Sequence, residues 1–148
     1  MYHKGQGVPQ NDAQAAYWTR KAADQGVAGA QFNLGVAYAS GQGVPQNGTQ
    51  AAYWYRKAAD QGEPQAQFML GGMYYNGQGV PKDVAQAVYW FRKAADQGEA
   101  KAQFMLGGMY ANGQGVPQND AQAAYWFRKA ADQGHAQAKA ALKRLRGE

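Results

Sequence analysis

The chain lacks the residues on which several classes of protein depend. It has no cysteine, which excludes disulfide bonds and thiolate metal ligands. Its only serine is Ser40 and its only histidines are His3 and His135, so no pairing of a nucleophile with a base is evident. No run of about 18 apolar residues occurs, and we therefore predict no membrane-spanning helix. Together these absences predict a protein without catalytic residues, metal or cofactor.

What the chain does have is a 36-residue repeat. Residues 63–98 differ from residues 99–134 at only seven of 36 aligned positions. A tryptophan marks the same point in four successive units: Trp18, Trp54, Trp90 and Trp126. A unit of this length buries too little apolar surface to fold alone, so the units must stack on one another. Near-identical units also argue against one unique catalytic site.

Each unit is predicted to form an antiparallel pair of helices. In the third unit, Pro64 suits the first turn of a helix that runs to Asn76 and ends before Gly77. Its packing face comprises Ala66, Leu70, Met73 and Tyr74. A second helix begins near Lys82 or Asp83, where the carboxylate of Asp83 can cap exposed amides, and runs to about Gln97. Its apolar face comprises Ala87, Trp90, Phe91, Ala94 and Ala95.

The middle of the first helix carries a glycine, Gly71, with equivalents at Gly35 and Gly107. Because glycine lowers helix propensity, we interpret this position as a close approach of two backbones. Val80, in the loop between the two helices, is expected to fill the gap between them.

A set of residues in the third unit resembles the Sel-1-like repeat, a relative of the tetratricopeptide repeat: Ala66, Leu70-Gly71, Tyr74, Gly77-x-Gly79-Val80, Ala87, Trp90-Phe91, Lys93-Ala94-Ala95 and Gly98. The resemblance covers essentially the whole chain, 1–148, as one solenoid domain. It divides the chain into a truncated unit, three complete units and a carboxyl-terminal capping helix: 1–26, 27–62, 63–98, 99–134 and 135–146.

The resemblance implies an all-α fold, a right-handed α-solenoid with the first helices on its concave face and the second helices on its convex back. It also implies a role as an adaptor or scaffold, often in bacterial envelope, host-interaction or protein-maturation pathways. One branch of the family, the cysteine-rich secreted proteins of stomach bacteria, has one disulfide per repeat and is associated with penicillin binding. Since this chain has no cysteine, we transfer no catalytic residue from that branch.

The first unit is incomplete. Met1 and Tyr2 match Met73 and Tyr74, which lie inside a repeat, so any export signal is expected upstream of Met1 and the compartment stays undetermined. The second helix of this unit, near residues 12–24, has lost its partner helix, so Ala15, Trp18 and Ala22 should be partly uncovered. We expect weak self-association through residues 1–26.

The basic and acidic residues are interpreted as surface features. The net charge is +5, and a basic cluster at one end is expected on the solvated face of the terminal helix: Lys139, Lys143, Arg144 and Arg146. An aspartate near the end of each second helix is unfavourable for the helix dipole, so a partner such as a loop amide is expected: Asp24, Asp60, Asp96 and Asp132.

Two further patterns are compatible with nucleic acids or phosphates, and we interpret both structurally. Tyr89 interleaves with Arg92 and Lys93, but these residues lie opposite the packed face and should coat the convex surface. The Gly-x-Gly loops lack both the following lysine and the preceding strand of a phosphate-binding loop. We expect no nucleic-acid partner.

The candidate binding surface is the side of the first helices opposite the packing face. It comprises Phe32, Gln65, Phe68, Met69, Gly72, Tyr75, Asn76, Lys101, Phe104 and Met105. Two of its positions vary between units, as Gly29, Gln65 and Lys101 and as Ala39, Tyr75 and Ala111, whereas three of the four packing positions keep the same residue. This is what a recognition surface on a fixed scaffold would show. The alternative is that the phenylalanines and methionines pack beneath the adjacent unit as core.

These observations favour a non-enzymatic module that binds a peptide or partner protein in its concave groove. Aromatic side chains would supply most of the affinity. One alternative, by family analogy alone, is a binder or hydrolase of small molecules or cell-wall fragments. Another is a purely architectural array, consensus-like or designed, whose units exist only to stack.

Overall fold

A computed structural model describes residues 8–147 of the chain, with side chains from Asn11 onward. This part forms eight α-helices and no β-strand. In chain order the helices are α1 (Val8–Asp24), α2 (Ala28–Ser40), α3 (Gly48–Asp60), α4 (Pro64–Asn76), α5 (Val84–Asp96), α6 (Ala100–Asn112), α7 (Asp120–Asp132) and α8 (Ala136–Arg146). The prediction that 1–4 are the remains of a leading helix concerns residues outside the described part.

The helices stack as an all-α, right-handed solenoid. The first helices of the units are α2, α4, α6 and α8, and the second helices are α1, α3, α5 and α7. Each helix packs on its neighbours in the sequence, and the largest contacts join the first and second helices of one unit. The predicted helix from Pro64 to Asn76 coincides with α4. The predicted second helix corresponds to α5, with Asp83 as its N-cap and Gln97 as its C-cap, so both predictions are confirmed.

Polar side chains cap the second helices as the sequence predicted. Asp83 Oδ1 accepts a hydrogen bond from the backbone N–H of Gln86 at 3.1 Å, and Asn47 and Asn119 act in the same way on α3 and α7. Gly77 ends α4 with a φ of 69°, a left-handed conformation that favours glycine.

The caps of the first helices were not predicted. Glu63 Oε1 accepts from the backbone N–H of Ala66 at 3.0 Å. His135 Nδ1 accepts from the backbone N–H of Ala138 at 3.1 Å. His135 is therefore the N-cap of α8.

The core lies where each second helix meets the first helices on both sides. Every residue of the predicted apolar face of α5 is no more than 2% exposed. On α4, Ala66, Leu70 and Met73 are buried as predicted, whereas Tyr74 is only half-buried. Val80 is half-buried against the cluster formed by α3, α4 and Trp90, which places it in the expected gap. The buried indole N–H of Trp90 has no hydrogen-bond partner within the described residues, so apolar packing holds this ring.

The close approach at the mid-helix glycine involves a ring and not a second backbone. A Cβ atom on Gly71 would lie 2.7 Å from Cδ1 of Phe91, and one on Gly35 would lie 2.6 Å from Cδ1 of Tyr55. The expectation of two approaching backbones was therefore wrong. An aromatic side chain of the second helix fills the space that the glycine leaves, so the glycine and the aromatic residue are complementary in each complete unit.

A ladder of buried amides, which was not predicted from the sequence, joins consecutive units. Gln67 is 2% exposed. Its Nε2 donates to the carbonyl oxygen of Ala59 in the preceding unit at 3.1 Å. Its Oε1 accepts from Nε2 of Gln97 at 2.8 Å, and that same group donates to the carbonyl oxygen of Gly62 at 2.9 Å. Gln31 and Gln103 repeat the arrangement. The identical glutamine in each unit, beside the packing face, was the available signal.

The aspartates at the ends of the second helices find a different partner from the one expected. Asp24 and Asp60 pair with Arg20 and Arg56, one helical turn earlier, with Nε to Oδ1 distances of 3.4 Å. The expected loop amide is thus replaced by an arginine at these two positions. Because both members of each pair are about half exposed, the pairs contribute little to stability.

Candidate functional site

The candidate binding residues divide into two groups by burial. Four side chains are exposed: Gln65, Met69, Asn76 and Lys101. Six positions are half-buried: Phe32, Phe68, Gly72, Tyr75, Phe104 and Met105. None of the ten is fully buried, so each keeps some contact with solvent along the first helices.

The three phenylalanines of the candidate surface, Phe32, Phe68 and Phe104, pack against the core. The ring of Phe68 lies 5.7 Å from that of Phe91, with an interplanar angle of 42°. Phe32 and Phe104 make the same tilted contact with Tyr55 and Phe127 at 5.8 Å. Each phenylalanine therefore packs against the aromatic residue of its own second helix on one side and meets solvent on the other. The expected packing of the phenylalanines on the core is therefore present on one side of each ring.

The two methionines of the candidate surface, Met69 and Met105, differ in their exposure to solvent. Met69 is 36% exposed, whereas Met105 is half-buried against the cluster of α5 and α6. Tyr75 is half-buried in that same cluster, and its hydroxyl donates to Oε1 of Gln114 at 3.2 Å. Tyr75 is thus tied to the loop after α6, and its ring is less available to a partner than the sequence analysis expected.

Two glycines leave the helix backbone open on this surface. A Cβ atom placed on Gly72 or on Gly108 would meet no atom within 4 Å. A chain that approaches here can come close to the helix without displacing a side chain. The surface therefore alternates exposed polar side chains, aromatic rings and bare backbone.

A hollow of about 370 Å³ opens on this surface between α6 and α8. It is lined by Phe104, Gly108, Ala111, Asn112, Arg144 and Leu145, among others. The four residues from α6 are the equivalents of Phe68, Gly72, Tyr75 and Asn76 in the predicted site. In the third unit the ring of Tyr75 occupies the position that Ala111 leaves open in the fourth. Of the ten predicted site residues, Phe104 alone lines this hollow.

Arg144 and Leu145 complete this hollow, and the sequence analysis did not place them in the site. They stand where the preceding unit has Gly108 and Met109. The departure of α8 from the repeat was visible in the sequence, but it was interpreted only as the solvated face of a cap. Arg144 is exposed and brings a permanent positive charge to the rim.

The opposite side of the array carries the interleaved basic and aromatic residues. The Arg56 guanidinium lies 5.3 Å from the ring centre of Trp90, and Lys93 Nζ lies 5.3 Å from that of Tyr89. Tyr89 is 51% exposed and meets Trp90 edge to face at 4.9 Å. These cations cover aromatic rings within the array, as expected for a surface coat.

The core beneath this surface contains the buried phenol of Tyr55. Burial raises the pKa of the Tyr55 hydroxyl to about 12, so this phenol stays protonated at neutral pH. Within residues 8–147, no group of three or more histidine, cysteine, aspartate or glutamate side chains is placed to hold a metal ion. None of the described helices is long and apolar enough to cross a membrane.

Known structures resemble this array closely. A protective antigen of uropathogenic Escherichia coli with an SLR fold is 42% identical to the chain, with a TM-score of 0.90 over 95% of this chain and 30% of that one. A Sel1 repeat protein from Oxalobacter formigenes is 36% identical, with a TM-score of 0.79 over 90% of this chain and 58% of that one. The chain therefore spans less than two thirds of either protein.

The cysteine-rich protein B of Helicobacter pylori is 26% identical, with a TM-score of 0.72 over 91% of this chain and 97% of that one. The fold is thus shared with the cysteine-rich branch, at lower identity than with the other two proteins. No protein with a curated function matches the chain by sequence. The model of the Sel1 repeat matches residues 1–27, 28–63, 64–99 and 100–135, and the chain therefore belongs to the Sel1 repeat family.

Proposed function

We propose that this chain is a non-enzymatic scaffold that binds an extended peptide or partner helix along the exposed side of its first helices. Proteins of the Sel1 repeat family generally act as protein-interaction scaffolds, and the fold is typically non-catalytic. The finer assignment concerns the surface of Phe32, Gln65, Phe68, Met69, Gly72, Tyr75, Asn76, Lys101, Phe104 and Met105.

The observation that carries the proposal is the hollow between α6 and α8. Its floor includes the half-buried ring of Phe104, and its rim includes the amide of Asn112 and the guanidinium of Arg144. A concavity of about 370 Å³ with an apolar floor and a few polar groups is the usual form of an anchor pocket. It fits one apolar side chain of a peptide.

The polar groups at the rim of the hollow determine which peptide residues can lie next to the anchoring side chain. Arg144 can bind a carboxylate in a bidentate manner, and Asn112 can donate to and accept from a peptide backbone. We therefore expect an apolar or aromatic residue flanked by an acidic residue or by a free carboxyl terminus. Lys101, exposed on the same helix, favours a second acidic position.

The two glycines with open space above them, Gly72 and Gly108, provide the rest of the path for a bound peptide. At Gly72 and Gly108 a bound chain can lie against the helix backbone, while the exposed Met69 on α4 offers an apolar contact. The side chains Gln65 and Asn76 provide hydrogen bonds at the edges. Variation of Ala39, Tyr75 and Ala111 from one unit to the next would then set the register of the bound chain.

A selection experiment tests the proposal. A random peptide library displayed on phage is selected on the intact chain, and the affinity of each selected peptide is measured by fluorescence anisotropy. Gly108→Arg places a long side chain at the hollow, and its Cβ atom would meet no atom within 4 Å. We expect it to weaken binding at least about tenfold, or 1.4 kcal/mol. Arg144→Glu should weaken the binding of peptides with an acidic residue beside the anchor.

The matched control is Tyr89→Arg, which adds the same side chain on the opposite side of the array, where Tyr89 is 51% exposed. It should leave peptide affinity unchanged. Peptides that bind Gly108→Arg as well as the parent, or that lose affinity only with Tyr89→Arg, would refute binding at this surface.

A further inference from the structure

A hollow of about 420 Å³ lies between two complete units, 27–62 and 63–98. It is bordered by the end of α2, the start of α3, the middle of α4 and the loops after α2 and α4. It shares no lining residue with the hollow between α6 and α8. We call it the Met73 hollow and define it by its lining residues, Ala39, Gln46, Gly48, Met73 and Gln78.

The same place between the next two units is filled by the chain's own tyrosine. The equivalent residues there are Tyr75, Lys82, Val84, Met109 and Gln114. Tyr75 and Val84 pack against the cluster that contains Met109. The Tyr75 hydroxyl donates to Oε1 of Gln114 at 3.2 Å. The Met73 hollow is therefore the space that remains when Tyr75 and Val84 are replaced by alanine and glycine.

The exposure of the two methionines agrees with this comparison. Met73 is 9% exposed, whereas Met109 is 1% exposed. Ala39 also packs against the cluster that contains Met73, but it has only a methyl group where Tyr75 has a ring. Apolar surface in the Met73 hollow is thus left for another side chain to cover.

The polar groups of the Met73 hollow suit a phenol. Gln78 is the equivalent of Gln114, so its amide oxygen can accept from a hydroxyl in the same way. The Nε2 group of Gln46 donates to the carbonyl oxygen of Ala39 at 2.9 Å, which holds a second amide at the rim. None of the five lining residues is charged, so a neutral side chain is favoured over a carboxylate or a phosphate.

The size of the Met73 hollow also suits a tyrosine ring. Tyr75 occupies the equivalent place although Val84 lies beside it, whereas the Met73 hollow has the smaller Gly48 at that position. Gly48 is exposed and Val84 is half-buried, so the additional room is open to solvent. A ring from a separate chain can therefore enter from that side.

We propose that the Met73 hollow binds a tyrosine side chain of the partner peptide, with the ring on Met73 and the hydroxyl donating to Gln78. Tyr75 indicates how the bound ring lies. This inference rests on the proposed function, because it names one residue of the bound peptide. It adds a second anchor position, at Ala39, to the exposed side of the first helices.

The methyl signals of methionine test the site directly in the full chain. The probe is p-cresol, which has the ring and hydroxyl of tyrosine. A titration followed by NMR of ¹³C-methyl-labelled methionine should shift the Met73 signal to saturation and leave the Met109 signal unchanged. Ala39→Tyr should abolish the Met73 response, because the chain then fills the hollow itself. Tyr75→Ala should give Met109 a response, because its covering ring is removed.

The matched control is Gln122→Tyr, which adds the same ring at an exposed position of α7 and should leave the Met73 response intact. Circular dichroism and a melting curve check that each variant is folded. A Met73 signal that does not respond to p-cresol in the parent overturns the proposal. So does a Met73 response that persists in the folded Ala39→Tyr variant.

A second variant tests the contact of the hydroxyl and does not depend on filling the hollow. Gln78→Leu removes the accepting amide. The ratio of the affinity for p-cresol to that for toluene should fall about two- to tenfold in this variant, which is the effect of one hydrogen bond exchanged with water. An unchanged ratio would contradict the assignment of Gln78.

A peptide experiment separates this inference from the proposed function. A library displayed on phage is selected on Gly108→Arg, in which the hollow between α6 and α8 is obstructed. The selected peptides should contain a tyrosine, and adding Ala39→Tyr should weaken their binding at least about tenfold. Peptides that depend on Gly108 but never on Ala39 would support the proposed function and overturn this inference. Peptides that depend on Ala39 but not on Gly108 would support this inference and refute the site between α6 and α8.

Discussion

Gly71 and Gly72 are neighbours in the sequence, yet they lie in two regions of α4 that obey different constraints. A Cβ atom on Gly71 would lie 2.7 Å from the ring of Phe91, whereas one on Gly72 would meet nothing within 4 Å. The packed face of the first helices is therefore constrained by the fit between the two helices of one unit. At Gly72, on the other face, a larger side chain would meet open space. A repeat protein can in this way keep its architecture while it changes its binding surface.

The largest expected difference in stability between the packed side and the exposed side of the array concerns two aromatic residues of α5. Trp90→Ala removes a side chain that is 2% exposed and should lower the free energy of unfolding by about 3–5 kcal/mol. Tyr89→Ala, next to it on the exposed side, should cost less than about 1 kcal/mol. Urea denaturation of both variants measures the contrast. Similar losses would mean that stability is not concentrated on the packed face.

The amide ladder predicts the next largest effect. Gln67→Leu keeps the volume approximately but leaves the buried carbonyl of Ala59 and the amide of Gln97 without this partner. Each lost partner costs about 1–3 kcal/mol when the remaining group stays buried. We expect a loss of about 2 kcal/mol in the free energy of unfolding. Gln65→Leu, on the exposed side of the same helix, should change it by less than about 0.5 kcal/mol. An equally stable Gln67→Leu would show that the ladder is dispensable.

The stability that Tyr55 contributes should depend on pH, unlike that of the phenylalanines at the equivalent positions of the other units. Its pKa is raised from 10.0 to about 12 in the folded chain because burial disfavours the phenolate. Folding therefore keeps its proton, and the resulting stability is complete below pH 10 and is lost as the pH rises towards 12. Tyr55→Phe should remove this dependence. The difference in unfolding free energy between parent and variant should change by about 1 kcal/mol between pH 9 and 11, as measured by urea denaturation at each pH. A constant difference would refute the burial of this hydroxyl.

Much of the fold could be predicted because it depends on local, repeated patterns. The spacing of apolar residues, the glycine after α4 and the carboxylate of Asp83 each determine a helix or its end within a few positions. The partner of Gly71 could not be predicted, because a glycine in a helix indicates only that something comes close. From the sequence alone, the ring of Phe91 and the backbone of a second helix are equally compatible with a close neighbour of Gly71.

The candidate site was less predictable, since it depends on side chains that are far apart in the sequence. The hollow on α6 requires the small Ala111 together with Arg144 from α8. Neither residue alone indicates a concavity. Gln67 was missed for a related reason, because an amide beside an apolar face is equally compatible with a solvated edge and with a buried hydrogen-bond ladder. Only the positions of Ala59 and Gln97 distinguish these two cases.

The smallest expected changes in stability concern Gly71 and Gly72. They test the comparison between the packed and the open face of α4 most directly. Alanine favours a helix over glycine by about 1 kcal/mol, so propensity alone predicts that Gly71→Ala and Gly72→Ala both stabilise the chain. At Gly72 the new methyl group meets open space, and we expect the full gain of about 1 kcal/mol.

At Gly71 the methyl group must displace the ring of Phe91, and overpacking of this kind costs about 1–3 kcal/mol. The net result should be a loss of about 1 kcal/mol. Replacing the ring tests the cause: in a Phe91→Leu background, Gly71→Ala should lose part or all of its penalty, while Gly72→Ala should keep its gain. Thermal and urea denaturation of the four variants measure these differences. Equal effects of the two alanines in either background would contradict the division of α4 into a packed and an open face.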